Sequence, residues 1–275
     1  MKISYDFDIP TRDGTKLRAD IYRPEGILED LPVILAYTPY GKHHCYKNHM
    51  FPAQDGMACG PNGNSYVFEG VDPVWWTSQG YIVALVDSRG SFASEGDKFF
   101  YREVDSYDIY DTVEYLAAIH DCNGVVGMAG STAVAMYQWM GAVLNPPHLK
   151  AFIPNDGMAD VFRDLYSHGG VPETLLSSGY RHTFGYGNGT NMVEVPPNHE
   201  SATLPSSSDF WNAIQPFKNR LHEIMVPVYV ISGFSNSGLH TRDSIRAYLD
   251  VASQHKYLEL HGIYSLSDLK RSQRH

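Results

Sequence analysis

Cysteine is scarce in this 275-residue chain, and its three copies, Cys45, Cys59 and Cys122, are odd in number and share no CxxC spacing. Neither a disulfide framework nor a zinc site is indicated. Positive charge is short as well: 21 Lys and Arg against 31 Asp and Glu leave a formal charge of −10. That balance argues against a nucleic-acid partner, because phosphate binding needs clustered Lys and Arg. No apolar run reaches 18 residues, and Met1-Lys2-Ile3-Ser4-Tyr5-Asp6 opens without the apolar core of a signal peptide. A soluble, cytoplasmic chain away from the membrane is expected. Repeats and low-complexity tracts are missing too. What is present is ordinary globular composition, 43% hydrophobic and 19% charged, in a length that suits one large domain, with or without an inserted cap.

Ile3 to Ile9 and Lys16 to Tyr22 alternate apolar and polar residues around Arg12-Asp13-Gly14-Thr15, which predicts a β-hairpin with an Asp-Gly turn. Leu31 to Tyr37 and Tyr81 to Val86 are continuous apolar runs, the mark of buried strands. Between them, Lys42 to Gly70 has no period but holds His43, His44 and His49. Because no ligand spacing accompanies those histidines, a solvated loop is expected rather than a metal site. Asp72-Pro73 opens a short helix carrying Trp75 and Trp76, and Arg102 to His120 has a helical apolar stripe at 109, 113 and 116. Leu149 to Ile153, Val226 to Ile231 and Tyr257 to His261 read as strands, with helices expected over Asp209 to Ile224 and His240 to Ala252. Strands alternating with helices imply an α/β fold with a mostly parallel sheet covered on both faces. Gly157 to Ser208 breaks that rhythm. It is rich in Gly, Pro, Ser and Asn, and its Tyr180, Phe184 and Tyr186 favour packing, so a cap over the pocket is expected. The organisation is then core over 1–156, cap or lid over 157–208, and core again over 209–275.

The chain is organised around Val125 to Trp139. Apolar Val125 to Ala129 ends at Gly130, Ser131-Thr132 follow, and a stretch free of Gly and Pro runs from Ala133 to Tyr137. Strand, one-Gly turn, hydroxyl and helix together describe a nucleophile elbow, although the turn is Gly130-Ser131-Thr132-Ala133-Val134 where G-x-S-x-G is usual. For the pentapeptide alone, an ordinary βα turn competes with that reading.

With these segments placed, the chain resembles the CocE/NonD family of α/β-hydrolases, relatives of the X-Pro dipeptidyl-peptidases. The pieces are Pro10 to Asp20, Pro39-Tyr40-Gly41-Lys42, Phe68-Glu69-Gly70-Val71-Asp72-Pro73 with Trp76 and Gly80-Tyr81, Asp87-Ser88-Arg89-Gly90, Ser94-Glu95-Gly96, Gly127-Met128-Ala129-Gly130, Gln138-Trp139 and Pro146 to Ala151. The resemblance implies the α/β-hydrolase fold and a Ser-His-Asp hydrolase of esters and amides, usually continued by a C-terminal jelly roll that is expected to be absent here. It also implies departures. The catalytic Ser falls on Thr132, the triad Asp on Asn236, and the triad His near Ser265, with His261 too early. What matches is Tyr40, at the place of the oxyanion-hole tyrosine, together with the backbone N–H of Ala133.

A neutral Asn cannot stabilise an imidazolium, and without a His no general base is in sight. The expectation from the residues is therefore a non-hydrolytic enzyme, cyclising or isomerising a small secondary-metabolite substrate in an apolar pocket, with pericyclic, Diels-Alder-type closure as one form. The alternatives are an ester or amide hydrolase using Thr132, or a catalytically dead protein that binds a small molecule. Tyr40, Thr132 and Ala133 are the candidate catalytic groups. Ser131, Trp76, Asn236, His240 and Asp156 are the candidate binding groups, with Ser131 also a substitute nucleophile, His240 also a candidate base or helix-terminal residue, and Asp156 a supporting carboxylate. No cofactor and no metal are expected.

Overall fold

The hairpin read from the alternating N-terminus is formed by β1 (Lys2–Pro10) and β2 (Lys16–Arg23), paired antiparallel with Ile9 opposite Leu17. A computed structural model describes residues 1–42, 68–173, 200, 203–236 and 238–262, with Asn236 described by its backbone alone. The continuous apolar runs become β3 (Leu31–Thr38) and β4 (Ile82–Asp87), and the elbow strand is β5 (Cys122–Ser131). They are followed by β6 (Leu149–Asn155), a two-residue pair β7 (Ser167–His168) and β8 (Val171–Pro172), then β9 (Val228–Gly233) and β10 (Lys256–His261).

Eight strands form one sheet in the order β1-β2-β4-β3-β5-β6-β9-β10. Every pairing from β4 to β10 is parallel, and only β2 runs against the rest, antiparallel to both β1 and β4. Parallel neighbours need crossovers, and helices supply most of them: α1 (Pro73–Ser78), α2 (Glu103–Ala117), α3 (Thr132–Ala142), α4 (Asp209–Ile214) and α5 (Thr241–Asp250). Asp72 caps α1, its carboxylate accepting from the Val74 and Trp75 amides at 2.9 and 3.3 Å. The stripe of α2 is buried as its spacing requires, with Ile109, Val113 and Leu116 fully covered. This is an α/β-hydrolase fold.

One expectation needs correction. The helix expected over Asp209 to Ile224 stops at Ile214, and short 3-10 turns at Pro216–Asn219 and Leu221–Glu223 replace the remainder. Pro216 is the reason, since it donates no amide hydrogen and disfavours helical geometry at Gln215. Of the stretch expected to form a cap, residues 157–173, 200 and 203–208 are described, and Met158, Ala159, Val161, Leu165 and Tyr166 join the main core cluster. Tyr180, Phe184 and Tyr186, the histidines 43, 44 and 49, Cys45, Cys59 and Ser265 lie outside the described residues. No helix among the described residues is long and apolar enough to cross a membrane.

Candidate active site

At the carboxyl end of β5 the chain turns within one residue. Thr132 begins α3 with φ of +45°, a left-handed conformation that a β-branched residue adopts only under tertiary constraint. The constraint starts at Gly130, where an added Cβ would lie 2.3 Å from Val134 Cγ1 and 3.1 Å from the Glu69 carbonyl oxygen. Only glycine fits there. The Val134 side chain lies against that bare Cα, so Val134 stands where the usual elbow pattern has its second Gly without crowding the turn. Thr132 is half-buried while the residues on either side of it are buried.

Glu69, just ahead of α1, completes the turn. Its carbonyl oxygen accepts the Ser131 amide at 2.7 Å, and its carboxyl Oε2 accepts the Ala133 amide at 3.0 Å. The hydroxyls of Tyr40 and Thr132 face the same carboxyl and draw its proton affinity down. Tyr40 is placed by the end of β3, with its amide on Thr38 Oγ1 at 3.1 Å and its ring edge-on to Phe68 at 4.9 Å. Backbone amide and phenol thus converge as expected of an oxyanion hole, but on a side chain of the protein itself. Burial pushes the Glu69 carboxyl up to about 8, against the pull of these three donors and with the Asp156 charge adding to the rise. Glu69 is therefore mostly protonated at neutral pH.

Asp156 follows β6 with φ of +50° and is fully buried. Its Oδ1 accepts from Ser232 Oγ at 2.8 Å and the Gly233 amide at 3.1 Å, tying the ends of β6 and β9 together, while Oδ2 has no hydrogen-bond partner among the described residues. His240 precedes α5 in the N-cap position, buried, with Nδ1 likewise unbonded. Burial lowers its pKa to about 4 and the Asp156 charge only partly offsets this, so the imidazole is neutral at physiological pH. Glu69, Thr132 and Asp156 are three of the residues other than glycine held at positive φ, which is backbone strain gathered at one place.

The structure brings Tyr40, Thr132 and Ala133 together, with Asp156 in electrostatic reach of Glu69 and of His240. Ser131 is fully buried and spends its amide on Glu69, while its hydroxyl has no hydrogen-bond partner among the described residues. Trp76 is not shown at the elbow hydroxyl. It stacks edge-on with Trp75 and Tyr81 at 4.7 and 5.1 Å and packs on the smaller core cluster around Val83 and Leu85, a packing role. Asn236 ends a 3-10 turn after β9, and its side chain lies outside the described residues. Sequence reasoning missed Glu69. Its only signal was a lone carboxylate set between Phe68 and Gly70, in a piece shared with a hydrolase family. No group of three or more His, Cys, Asp or Glu among the described residues is placed to hold a metal ion.

Residues 13–191 match the profile of the X-Pro dipeptidyl-peptidase family S15. The chain belongs to that family. Within it, a cocaine esterase from Rhodococcus sp. (strain MB1 Bresler) is 30% identical over 190 residues, covering 69% of this chain and 30% of the esterase. A CocE/NonD family hydrolase from Staphylococcus aureus superposes with a TM-score of 0.82 at 30% identity, over 99% of this chain and 48% of that one. An α-amino acid ester hydrolase shares the fold, with a TM-score of 0.65 at 20% identity over 90% of this chain and 45% of that one. The S15-family chain described here thus spans about half or less of the length of these relatives. Its resemblance to the CocE/NonD α/β-hydrolases is confirmed.

Proposed function

We propose that this chain acts as a hydrolase on the ester or amide carbonyl of a small organic substrate, with Thr132 as the attacking hydroxyl and the Ala133 amide and Tyr40 phenol as its oxyanion hole. One observation carries the reading. Two donors from separate elements and the elbow hydroxyl meet on a single carboxyl group, the shape and polarity of an acyl group under attack. The cocaine esterase and the S. aureus hydrolase point to the same class of chemistry.

The roles follow from charge development. As Thr132 Oγ1 adds to the carbonyl carbon, negative charge grows on the carbonyl oxygen, where the fixed amide and phenol stabilise it without reorganising. The strained backbone holds Oγ1 half-exposed above the sheet, which orients the attack. The γ-methyl restricts the side-chain rotamer, and this favours compact acyl groups. Cyclisation or isomerisation was the expectation from sequence because no base for a nucleophile was visible. A carboxyl group facing the Thr132 hydroxyl removes that ground.

The test is cleavage of p-nitrophenyl acetate and butyrate, with intact-mass detection of a phosphonate adduct. Wild-type protein should turn over at least one ester and gain one adduct, mapped to Thr132. Thr132→Ala should lose both. Tyr40→Phe keeps its ring and should slow turnover by about 1–3 kcal/mol of barrier at unchanged melting temperature. Turnover without Thr132 dependence would overturn Thr132 as the attacking hydroxyl, and no turnover with no adduct would restore the cyclisation or isomerisation reading.

A further inference from the structure

We propose that Glu69 is the general acid–base of this site and, by sitting in the oxyanion hole, a built-in competitor of the substrate carbonyl. The inference rests on the hydrolase reading above and extends it to a residue that the sequence reading gave no role. Its ground is geometric. The Glu69 carboxyl lies at the elbow, its Oε2 on the amide of Ala133, the residue after Thr132, at 3.0 Å, and the Thr132 hydroxyl is among the groups that draw its proton affinity down. A base must touch the proton it removes. Glu69 cannot drift away, because its backbone is pinned by the Ser131 amide at 2.7 Å. In the proposed cycle its side-chain torsions turn the carboxyl off the Ala133 amide when the substrate carbonyl enters.

The proton inventory closes. With the substrate carbonyl oxygen on Ala133 N–H and the Tyr40 phenol, the Glu69 carboxylate takes the Thr132 proton as Oγ1 bonds the acyl carbon and the carbonyl π pair moves onto oxygen. When the tetrahedral adduct collapses, the bond to the leaving oxygen or nitrogen breaks, and Glu69 returns its proton to that atom. A water then attacks the threonyl ester and gives one proton to Glu69. Oγ1 leaves with that proton, and the free acid departs. Nothing is oxidised or reduced, and the net change is hydrolysis.

The groups facing Glu69 are the Tyr40 phenol from the end of β3, the Thr132 hydroxyl and Ala133 amide from α3, and the Asp156 carboxylate from the end of β6. Behind Asp156 lies the neutral His240 of α5. None of these groups is a cation, so only neutral donors draw Glu69 back toward an ordinary carboxylate, and burial outweighs them. Its basic form is scarce at pH 7 and grows through about 8. The expected kcat/KM therefore rises with pH to a plateau, with its midpoint near that value.

The experiment compares wild type, Glu69→Gln, Glu69→Asp and Glu69→Ala on p-nitrophenyl butyrate from pH 6 to pH 10, with butyrate as a competitive inhibitor. Glu69→Gln keeps the shape and the hydrogen bonds, so it should fold. It should lose about 100-fold or more in kcat/KM and the inflection with it. Glu69→Asp should recover part of the rate together with a pH inflection. Glu69→Ala empties the hole and should bind butyrate about tenfold more tightly than wild type while turning over more slowly. A purely structural Glu69 would leave Glu69→Gln at wild-type rate. That result, with Thr132→Ala inactive, overturns the acid–base role alone. Should Glu69→Gln fail to fold, a flat wild-type profile across pH 8 overturns it equally. Loss of both turnover and Thr132 labelling in the wild type would overturn the hydrolase reading with it.

Discussion

Beside the hairpin turn, Arg89 is gripped on every side. Its guanidinium meets Asp108 bidentately at 2.7 and 2.6 Å, Thr15 Oγ1 at 2.7 Å and Asp13 at 3.0 Å, while its backbone amide donates to the Tyr37 phenol. Nearby, Lys42 bonds Asp6 at 2.7 Å and approaches Asp87 at 3.4 Å. At the elbow, Glu69, Asp156 and His240 are equally buried, yet their bonded partners are hydroxyls and backbone amides. Both regions belong to segments shared with the family, but only one neutralises its charges. Buried ions in the first are compensated and hold the hairpin to α2. In the second, burial raises the proton affinity of the Glu69 carboxyl and lowers that of the His240 imidazole, as chemistry at a buried site requires.

Breaking the compensated region should cost the most. Arg89→Met leaves Asp108 buried without its cation, even though burial has already pushed that carboxyl up to about 6. A loss of about 3–5 kcal/mol is expected in urea unfolding, with little of it dependent on the elbow. Arg89→Met combined with Asp108→Asn should recover a large part. A single variant that unfolds at wild-type urea concentration would show that this pair is not what compensates the charge.

Glu69→Gln should shift stability the other way, and the sign follows from the proton count. The folded Glu69 carboxyl binds its proton up to about 8, whereas its ordinary value is 4.5. Its contribution to stability is fully present below the ordinary value and is lost as pH rises through about 8. Between pH 5 and pH 9, wild type should thus lose about 2–4 kcal/mol relative to Glu69→Gln. Melting curves at the two pH values measure it. Parallel loss in both proteins would mean that the elbow carboxyl is compensated after all, and the contrast between the two regions would vanish.

That contrast also separates what the sequence disclosed from what it hid. The Asp13-Gly14 turn, the apolar runs of β3 and β4 and the stripe at Ile109, Val113 and Leu116 are local patterns, and local sterics and burial enforce them. Gly130 was legible because an elbow constrains residue type at a fixed place. Pro216 was in plain view, but apolar spacing across it suggested one helix. Glu69 was not legible as a functional group. Its role depends on meeting Ala133, 64 positions later, and no local period reports a contact of that span. Trp76 packs on the smaller core cluster, which includes Ala129 and Val134 of the elbow, a tertiary contact that no local period reports either.

The smallest effect is expected one residue before Thr132. Ser131 stands at the N-cap position of α3, but its side chain makes no capping bond, and Oγ has no hydrogen-bond partner among the described residues. A buried hydroxyl without a partner costs desolvation and returns nothing, so its removal should not destabilise. The amide that Ser131 donates to Glu69 belongs to the backbone and survives substitution. Ser131→Ala should therefore be neutral or stabilising by up to about 1 kcal/mol, and should turn over p-nitrophenyl butyrate within about twofold of wild type. Beside it, Thr132→Ala should be inactive at similar stability. The pair sharpens the comparison to a single peptide bond, with one hydroxyl buried and idle and the next strained and reactive. If Ser131→Ala abolished turnover while Thr132→Ala kept it, the attacking oxygen would be that of Ser131. Glu69 would then no longer face the group it is assigned to deprotonate.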